Sequence, residues 1–306
     1  MHWFGNRLYQ SAHLAAPHNV MRQRGDSVWQ GFGLRGDYPF FSSRSGDCGL
    51  VTAAVDCVEM SHFDRGVGLA RSLAIYHAIP LRQRRLRRLY SQFVAAGDLV
   101  FDIGAHAGNR VRAFAALGCR VVALEPQPDF AWLLRALFGR SPRIVVVEAA
   151  VADVSGRGSL LLSERTPTVT TLAAEWRDAR ASDPDFARVR WNRRVEIEST
   201  TLDCLIERFG VPAFVKIDVE GSEPAVLAGL GLPVPALSFE YLPRALQQVE
   251  MCLTRLIALG PYQFNWSVGE SNHLVSDRWF DASEVLATLR TPAAQRRPGD
   301  VYARLV

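Results

Sequence analysis

The sequence predicts an α/β fold: a doubly wound, largely parallel sheet preceded by an N-terminal extension. Three observations carry that prediction. Short apolar runs bounded by glycine, proline or acid recur along the chain, and segments of helical period separate them. The stretch Asp98 to Glu125, DLVFDIGAHAGNRVRAFAALGCRVVALE, spells one whole unit of strand, glycine turn, helix and strand. A second stretch, Phe214 to Glu223, FVKIDVEGSE, sets ionisable residues at the carboxyl end of another apolar strand.

Taken in order, residues 1–68 form the extension, in which no sustained period is visible. A helical region follows from about Leu69, breaks near Pro80, and resumes from Leu81 to about Ala95. Leu99 to Phe101 begins the first strand. Val111, Phe114, Ala115 and Leu117 give the next helix its core face, and Gly118 stops it. Val121 to Leu124 is the second strand, Asp129 to Phe138 a helix opened by Pro126 and Pro128, and Ile144 to Val147 the third strand. A turn and short strand cover Gly156 to Leu162, and a polar insert from 163 to 193 has the length of a lid or substrate loop. Arg194 to Glu198 alternates, and Thr201 caps a helix running through Arg208. Phe214 to Asp218 is the fourth sheet strand, with a helix capped by Ser222 running to Leu230. Leu237 to Tyr241 is the fifth strand and Ala245 to Leu259 a long helix. Tyr262 to Val268, His273 to Ser276 and Val301 to Leu305 complete the sheet, with a helix over Ala282 to Arg290 between the last two.

Composition sets the class. With 306 residues, 48% hydrophobic and 22% charged, the chain has the make-up of a globular enzyme of one or two domains. No run approaches the roughly 20 apolar residues of a membrane span, and the start MHWFGNRLYQ lacks a secretory pattern. The five cysteines are scattered, so they are expected to be reduced thiols in a cytoplasmic protein, with no disulfide framework and no zinc site. The net charge is +4, and Lys216 is the only lysine among 35 basic residues. The densest basic patch, Arg82, Arg84, Arg85, Arg87 and Arg88, is interleaved with Leu81, Leu86, Leu89 and Tyr90 as an amphipathic helix with a basic outer face. No RNA-binding motif accompanies it, so a nucleic-acid partner is disfavoured.

The glycine turn indicates the ligand. A pyrophosphate-binding turn needs G-x-G-x-x-G, and from Gly104 that register fails at His106 and Asn109. Asp102 puts a carboxylate where a phosphate would sit, which suits a cation such as the amino group of a methionine moiety. Glu125, at the tip of the second strand, is placed to accept from two ribose hydroxyls. Carboxylate, glycine turn and second carboxylate together favour S-adenosylmethionine over NAD. Removing Glu125 is therefore expected to weaken cofactor binding at little cost in stability.

In an open parallel sheet the carboxyl ends of the strands form the ligand crevice, so Asp218 should share it with Asp102 and Glu125. Strand alternation turns Lys216, Asp218 and Glu220 to one side, where three ionisable groups must pair or meet a ligand. FDIGAHAGNR, VVALEPQP, EAAVADVSGRGSL, TLDCLIERF and FVKIDVEGSEPAVLAGL, together spanning much of Leu69 to Leu242, resemble the FkbM family of S-adenosylmethionine-dependent methyltransferases. The resemblance implies a class I methyltransferase (Rossmann-like) domain over 69–306 and methyl transfer to a hydroxyl of a small molecule, sugar or glycan. It further implies that Asp102, Gly104, His106, Gly108 and Asn109 line the methionine and turn end of the cofactor. Glu125, with Pro126, would hold the ribose; Glu148 and Ala150 would border the adenine; Asp218 would sit near the sulfonium and the acceptor.

An alcohol acceptor must lose its proton as the bond forms. The candidate bases are Asp218, Glu220 and Glu240, with His273 further off and Lys216 orienting the carboxylate. A divalent metal held by Asp218, Glu220 and Glu240 is conceivable, but these carboxylates are not clustered tightly enough in sequence to argue for one, so no metal ligand is assigned. Two other classes compete. One is an RNA methyltransferase using the Arg82 to Arg88 helix, although DVEGSE stands where a base-modifying enzyme would carry an Asn-Pro-Pro loop. The other is a module that binds the cofactor without catalysis. Acceptor identity and oligomeric state are not written in the sequence.

Overall fold

The structure is a computed structural model that describes residues 80–163, 191–291 and 294–306. The extension, the helical region near Leu69 and the body of the insert, 164–190, fall outside the described residues. The elements are α1 (Pro80–Tyr90), β1 (Leu99–Ile103), α2 (Asn109–Ala116), β2 (Arg120–Leu124), α3 (Pro128–Phe138), β3 (Ile144–Val147), β4 (Ala150–Val151), β5 (Gly156–Ser163) and β6 (Trp191–Thr200). Then follow α4 (Leu202–Phe209), β7 (Phe214–Ile217), α5 (Glu223–Ala228), β8 (Ala236–Tyr241), α6 (Leu246–Leu259), β9 (Tyr262–Val268), α7 (Ala282–Leu289) and β10 (Gly299–Leu305).

Seven strands form the central sheet in the order β3-β2-β1-β7-β8-β10-β9. All neighbours pair in parallel except β10, which is antiparallel to both β8 and β9. The chain order reverses between β1 and β7, so the crevice for a ligand opens there. Apolar side chains on both faces of the strands explain the double winding. Phe101, Ile103, Val215, Ile217, Leu237 and Phe239 pack on one face with residues of α4, α5, α6 and α7. Val100, Phe214 and Ala236 pack on the other with Leu86, Leu89 and Tyr90 of α1 and Val111 and Phe114 of α2.

That second face changes character along the strands. Val100 gives way to Asp102, Phe214 to Lys216, and Ala236 to Ser238 and then Glu240. Asp102 is level with Lys216 and Lys216 with Ser238, so the polar positions fall in a band at the carboxyl ends. β10 completes the band, with Asp300 opposite Glu240 and Tyr302 opposite Ser238.

Several expectations are corrected. α1 stops at Tyr90 rather than near Ala95, because the chain turns there and the Ala95 N–H donates to Asp98 Oδ2 at 2.8 Å. His273 to Ser276 is not a strand: Asn272 takes a left-handed φ of 55°, and the segment is tied to β9 by Val275 N–H donating to Trp266 O at 2.8 Å and Asn265 Nδ2 donating to Ser276 O at 2.7 Å. β4, β5 and β6 form a separate three-stranded sheet in the order β4-β6-β5. Ser222 precedes α5 without a side-chain cap; Glu223 Oε1 instead accepts from the Val219 and Gly221 N–H groups at 3.2 and 3.3 Å. Cys119 and Cys252 are free and buried, while Cys48 and Cys57 lie outside the described residues. Among the described residues, no helix is long and apolar enough to cross a membrane.

Candidate active site

A cavity opens at the carboxyl ends of β1, β2 and β7. The turn from Gly104 to Ala107, the β2 tip from Glu125 to Gln127, and the segment from Asp218 to Glu220 line it. Ala149 to Val151 and Leu160, from the smaller sheet and the residue before it, supply apolar wall.

The turn is shaped by what it must clear. Gly104 takes φ 79°, and a Cβ there would overlap the Asp218 carbonyl oxygen, so only glycine lets the two crossover loops meet. Asp218 N–H donates to Ile103 O at 3.0 Å across the same junction. His106 also takes a positive φ of 45°, and its ring lies against Phe130 at 3.8 Å between centroids.

Glu125 is buried at the end of β2 and already engaged. Its Oε2 accepts from the His106 N–H at 2.8 Å and its Oε1 from the Gln127 N–H at 2.9 Å. Burial pushes its carboxyl from 4.5 up to about 7, against the lowering effect of those two N–H groups. Each oxygen keeps a second lone pair for a ligand hydroxyl. The carboxylate ties two loop amides together, which argues for a larger stability cost on its removal than the sequence alone suggests.

Asp102 is buried on β1, and neither of its oxygens has a hydrogen-bond partner among the described residues. Burial raises its carboxyl to about 6, although Arg110 and Lys216 pull the other way. It stands behind the lining rather than in it. Asn109 is in the lining, held by the Gln83 side chain, which donates to the Asn109 carbonyl at 3.1 Å. Gly108 is not; a Cβ there would press on Phe138 and Leu134, so its role is packing of α3 beneath the turn.

At the other end of the cavity, the charges form a network. Lys216 is fully buried, and its Nζ donates to Asp300 Oδ1 at 2.9 Å and to the Ile217 carbonyl at 2.9 Å, with Asp218 Oδ2 at 3.5 Å. Arg110 approaches Asp218 Oδ2 at 3.2 Å and Asp300 Oδ2 at 4.0 Å. Burial works against ionising Asp218, but the Lys216 and Arg110 cations outweigh it and hold its carboxyl below the usual range. For Glu220 and Glu240 the Lys216 cation offsets burial only in small part. Burial first, then neighbouring carboxylates, push both well above the ordinary glutamate value. The backbone turns sharply at Glu220, where φ is 53°, and one carboxylate oxygen each of Asp218, Glu220 and Glu240 come within 4.8 Å of one another.

The fold therefore gathers Asp218, Glu220, Glu240 and Lys216, and it sets Gly104, His106, Asn109, Glu125, Pro126 and Ala150 around one cavity. Glu148 is turned away: its carboxylate pairs with Arg135 at 2.6 Å on the outside, while Ala149, Ala150 and Val151 face in. His273 is exposed, its Nδ1 near Ser271 O at 3.2 Å. Sequence reasoning passed over Arg110 and Asp300. Arg110 directly follows Asn109 in the first turn of α2, and Asp300 is the lone acid of the final strand. Arg110 meets Asp218 through the pairing of β1 with β7, and Asp300 meets Lys216 only because β10 lies beside β8.

The family model described as Methyltransferase FkbM domain matches residues 102–290. No curated protein matches the chain. Among solved structures, the O-methyltransferase from Bacillus cereus in complex with SAH is 15% identical with a TM-score of 0.40, over 80% of this chain and 89% of that one. The precorrin-6y C5,15-methyltransferase from Geobacter metallireducens is 12% identical with a TM-score of 0.36, over 83% and 94%.

Proposed function

The chain belongs to the FkbM methyltransferase family, and from that premise we propose that it moves the methyl group of S-adenosylmethionine to a hydroxyl of a small molecule, sugar or glycan. One observation carries the reading: a single cavity runs between a β2-tip carboxylate, Glu125, and the carboxylates that follow β7, Asp218 and Glu220. The residues suit the cofactor. Glu125 has lone pairs free for ribose hydroxyls, Ala150 and Leu160 offer an apolar wall for a purine, and Asn109 Nδ2 is a buried donor without a hydrogen-bond partner beside the turn.

When bound, the cofactor supplies a methyl group activated by positively charged sulfur. The chain's own part is positioning and proton handling. Ionised Asp218 favours positive charge at its end of the cavity. Burial and the neighbouring carboxylates raise the Glu220 and Glu240 carboxyls well above the ordinary glutamate value, and these two are the candidate groups to take the acceptor's proton. Lys216, locked between Asp218 and Asp300, fixes the Asp218 carboxylate.

Calorimetry with S-adenosylhomocysteine and NAD tests the cofactor; binding of the first and not the second is expected, and the reverse sinks the reading. A panel of hydroxylated small molecules and saccharides with methyl-labelled cofactor tests the acceptor class. Label incorporated into nucleic acid but into no small hydroxyl compound would turn the reading toward RNA.

A further inference from the structure

We propose that Asp218, Glu220 and Glu240 together bind one divalent cation of the hard, oxygen-preferring kind, such as Mg²⁺, Mn²⁺ or Ca²⁺. Each residue offers a carboxylate oxygen, and these oxygens lie within 4.8 Å of one another. Ligands about 2.1–2.5 Å from a shared ion span that distance or less. Three carboxylates without nitrogen or sulfur ligands select Mg²⁺, Mn²⁺ or Ca²⁺ over zinc or copper.

Charge compensation separates this cluster from an ordinary acidic patch. Lys216 and Arg110 direct their ion pairs to Asp218 and Asp300. No ion pair or hydrogen bond among the described residues reaches the carboxylate of Glu220 or Glu240. Independently of that spacing, Glu240 Oε2 is wholly enclosed and has no donor. Ser238 Oγ, on the same face of β8 one step earlier, is also enclosed and without a partner. Glu240 also lies directly opposite Asp300 in the β8–β10 pair, an unfavourable position for two like charges unless a cation intervenes. Asp300 pairs directly with Lys216, whereas Lys216 acts on Glu240 only from a distance.

The construction explains the turn after β7. Extended backbone would carry Glu220 away from β8, and the left-handed φ of 53° folds it back toward Glu240. Asp218 and Glu220 also line the cavity, so coordination positions left open by the protein would face a bound molecule. An oxygen-bearing acceptor fits such a position. The site itself does not depend on which acceptor is used, or on the reading of the cofactor.

The test uses full-length protein stripped with a chelator and titrated with MnCl₂, with free Mn²⁺ followed by electron paramagnetic resonance and Mg²⁺ and Ca²⁺ as competitors. One Mn²⁺ per chain is expected. Glu240→Gln and Glu220→Gln should each weaken binding at least about tenfold, since disturbing even an outer partner of a metal site costs that much. Thermal melting and S-adenosylhomocysteine binding report whether each variant is folded. No Mn²⁺ bound at millimolar concentration by the wild-type chain overturns the proposal and leaves the carboxylates sharing protons instead. Binding undiminished in both folded variants overturns it as well. Mn²⁺ binding without any response to S-adenosylhomocysteine would uphold the cation site while sinking the cofactor assignment, so the two fail separately.

Discussion

Glu125 shows how one side chain can serve two purposes. Its oxygens join the His106 and Gln127 amides, and the same oxygens face the cavity. Glu125→Ala should weaken S-adenosylhomocysteine binding by about 30- to 1000-fold, for the loss of two charge-assisted bonds. It should also lower stability, because the His106 and Gln127 N–H groups each lose their carboxylate acceptor. A folded variant with unchanged affinity would remove Glu125 from the site. The pH dependence follows from the same carboxyl. Burial raises it from 4.5 to about 7 on folding, so the folded chain holds a proton that the unfolded chain has lost. The associated stability is complete below about pH 4.5 and is lost as pH rises through about 7. Asp102, raised from 3.8 to about 6, acts in the same direction. Melting temperatures of the unliganded protein should therefore fall across that window, and Glu125→Gln should flatten the fall; an identical slope in the variant would contradict it.

At the scale of elements, the strand–turn–helix unit was readable because each piece had a local cause. Asp98 to Glu125 is bounded by Gly97 and carries its own stops in Gly104 and Gly118, all three at positive φ, and β1, α2 and β2 fall within a few residues of their expected bounds. What Gly104 does was not readable, since its reason is the Asp218 carbonyl more than a hundred positions along. Gly104→Ala should therefore destabilise far beyond the roughly 1 kcal/mol of an ordinary glycine replacement, and Gly156→Ala, where a Cβ meets open space, should not. Urea melts of the two variants compare them directly. The separate sheet of β4, β5 and β6 was missed for a similar reason. Its strands are short or alternating and look locally like additions to the main sheet; only the pairing of β6 with both neighbours sets them apart. The carboxylate cluster lay between these cases. Asp218 and Glu220 are adjacent in FVKIDVEG, but Glu240 joins them only through the parallel pairing of β7 with β8.

Across the whole molecule, the band of polar residues on one sheet face depends on a strand laid in backwards. β10 enters between β8 and β9, and Asp300 rides on it to reach Lys216. Removing residues 299–306 should therefore take out an interior strand and the partner of a buried lysine, and the cooperative thermal transition should be lost. A truncated chain that melts like the wild type would mean that β10 is dispensable to the sheet. The same placement has a consequence in time. β9 pairs in the central sheet with β10 alone, so when β8 has docked, β9 has no edge to join and must wait for β10. This half of the sheet cannot grow outward in chain order, and its closing step joins segments far apart in sequence, which slows folding. In pulse-labelled hydrogen exchange during refolding, the amides of β9 and β10 should gain protection together, after those of β1 and β2.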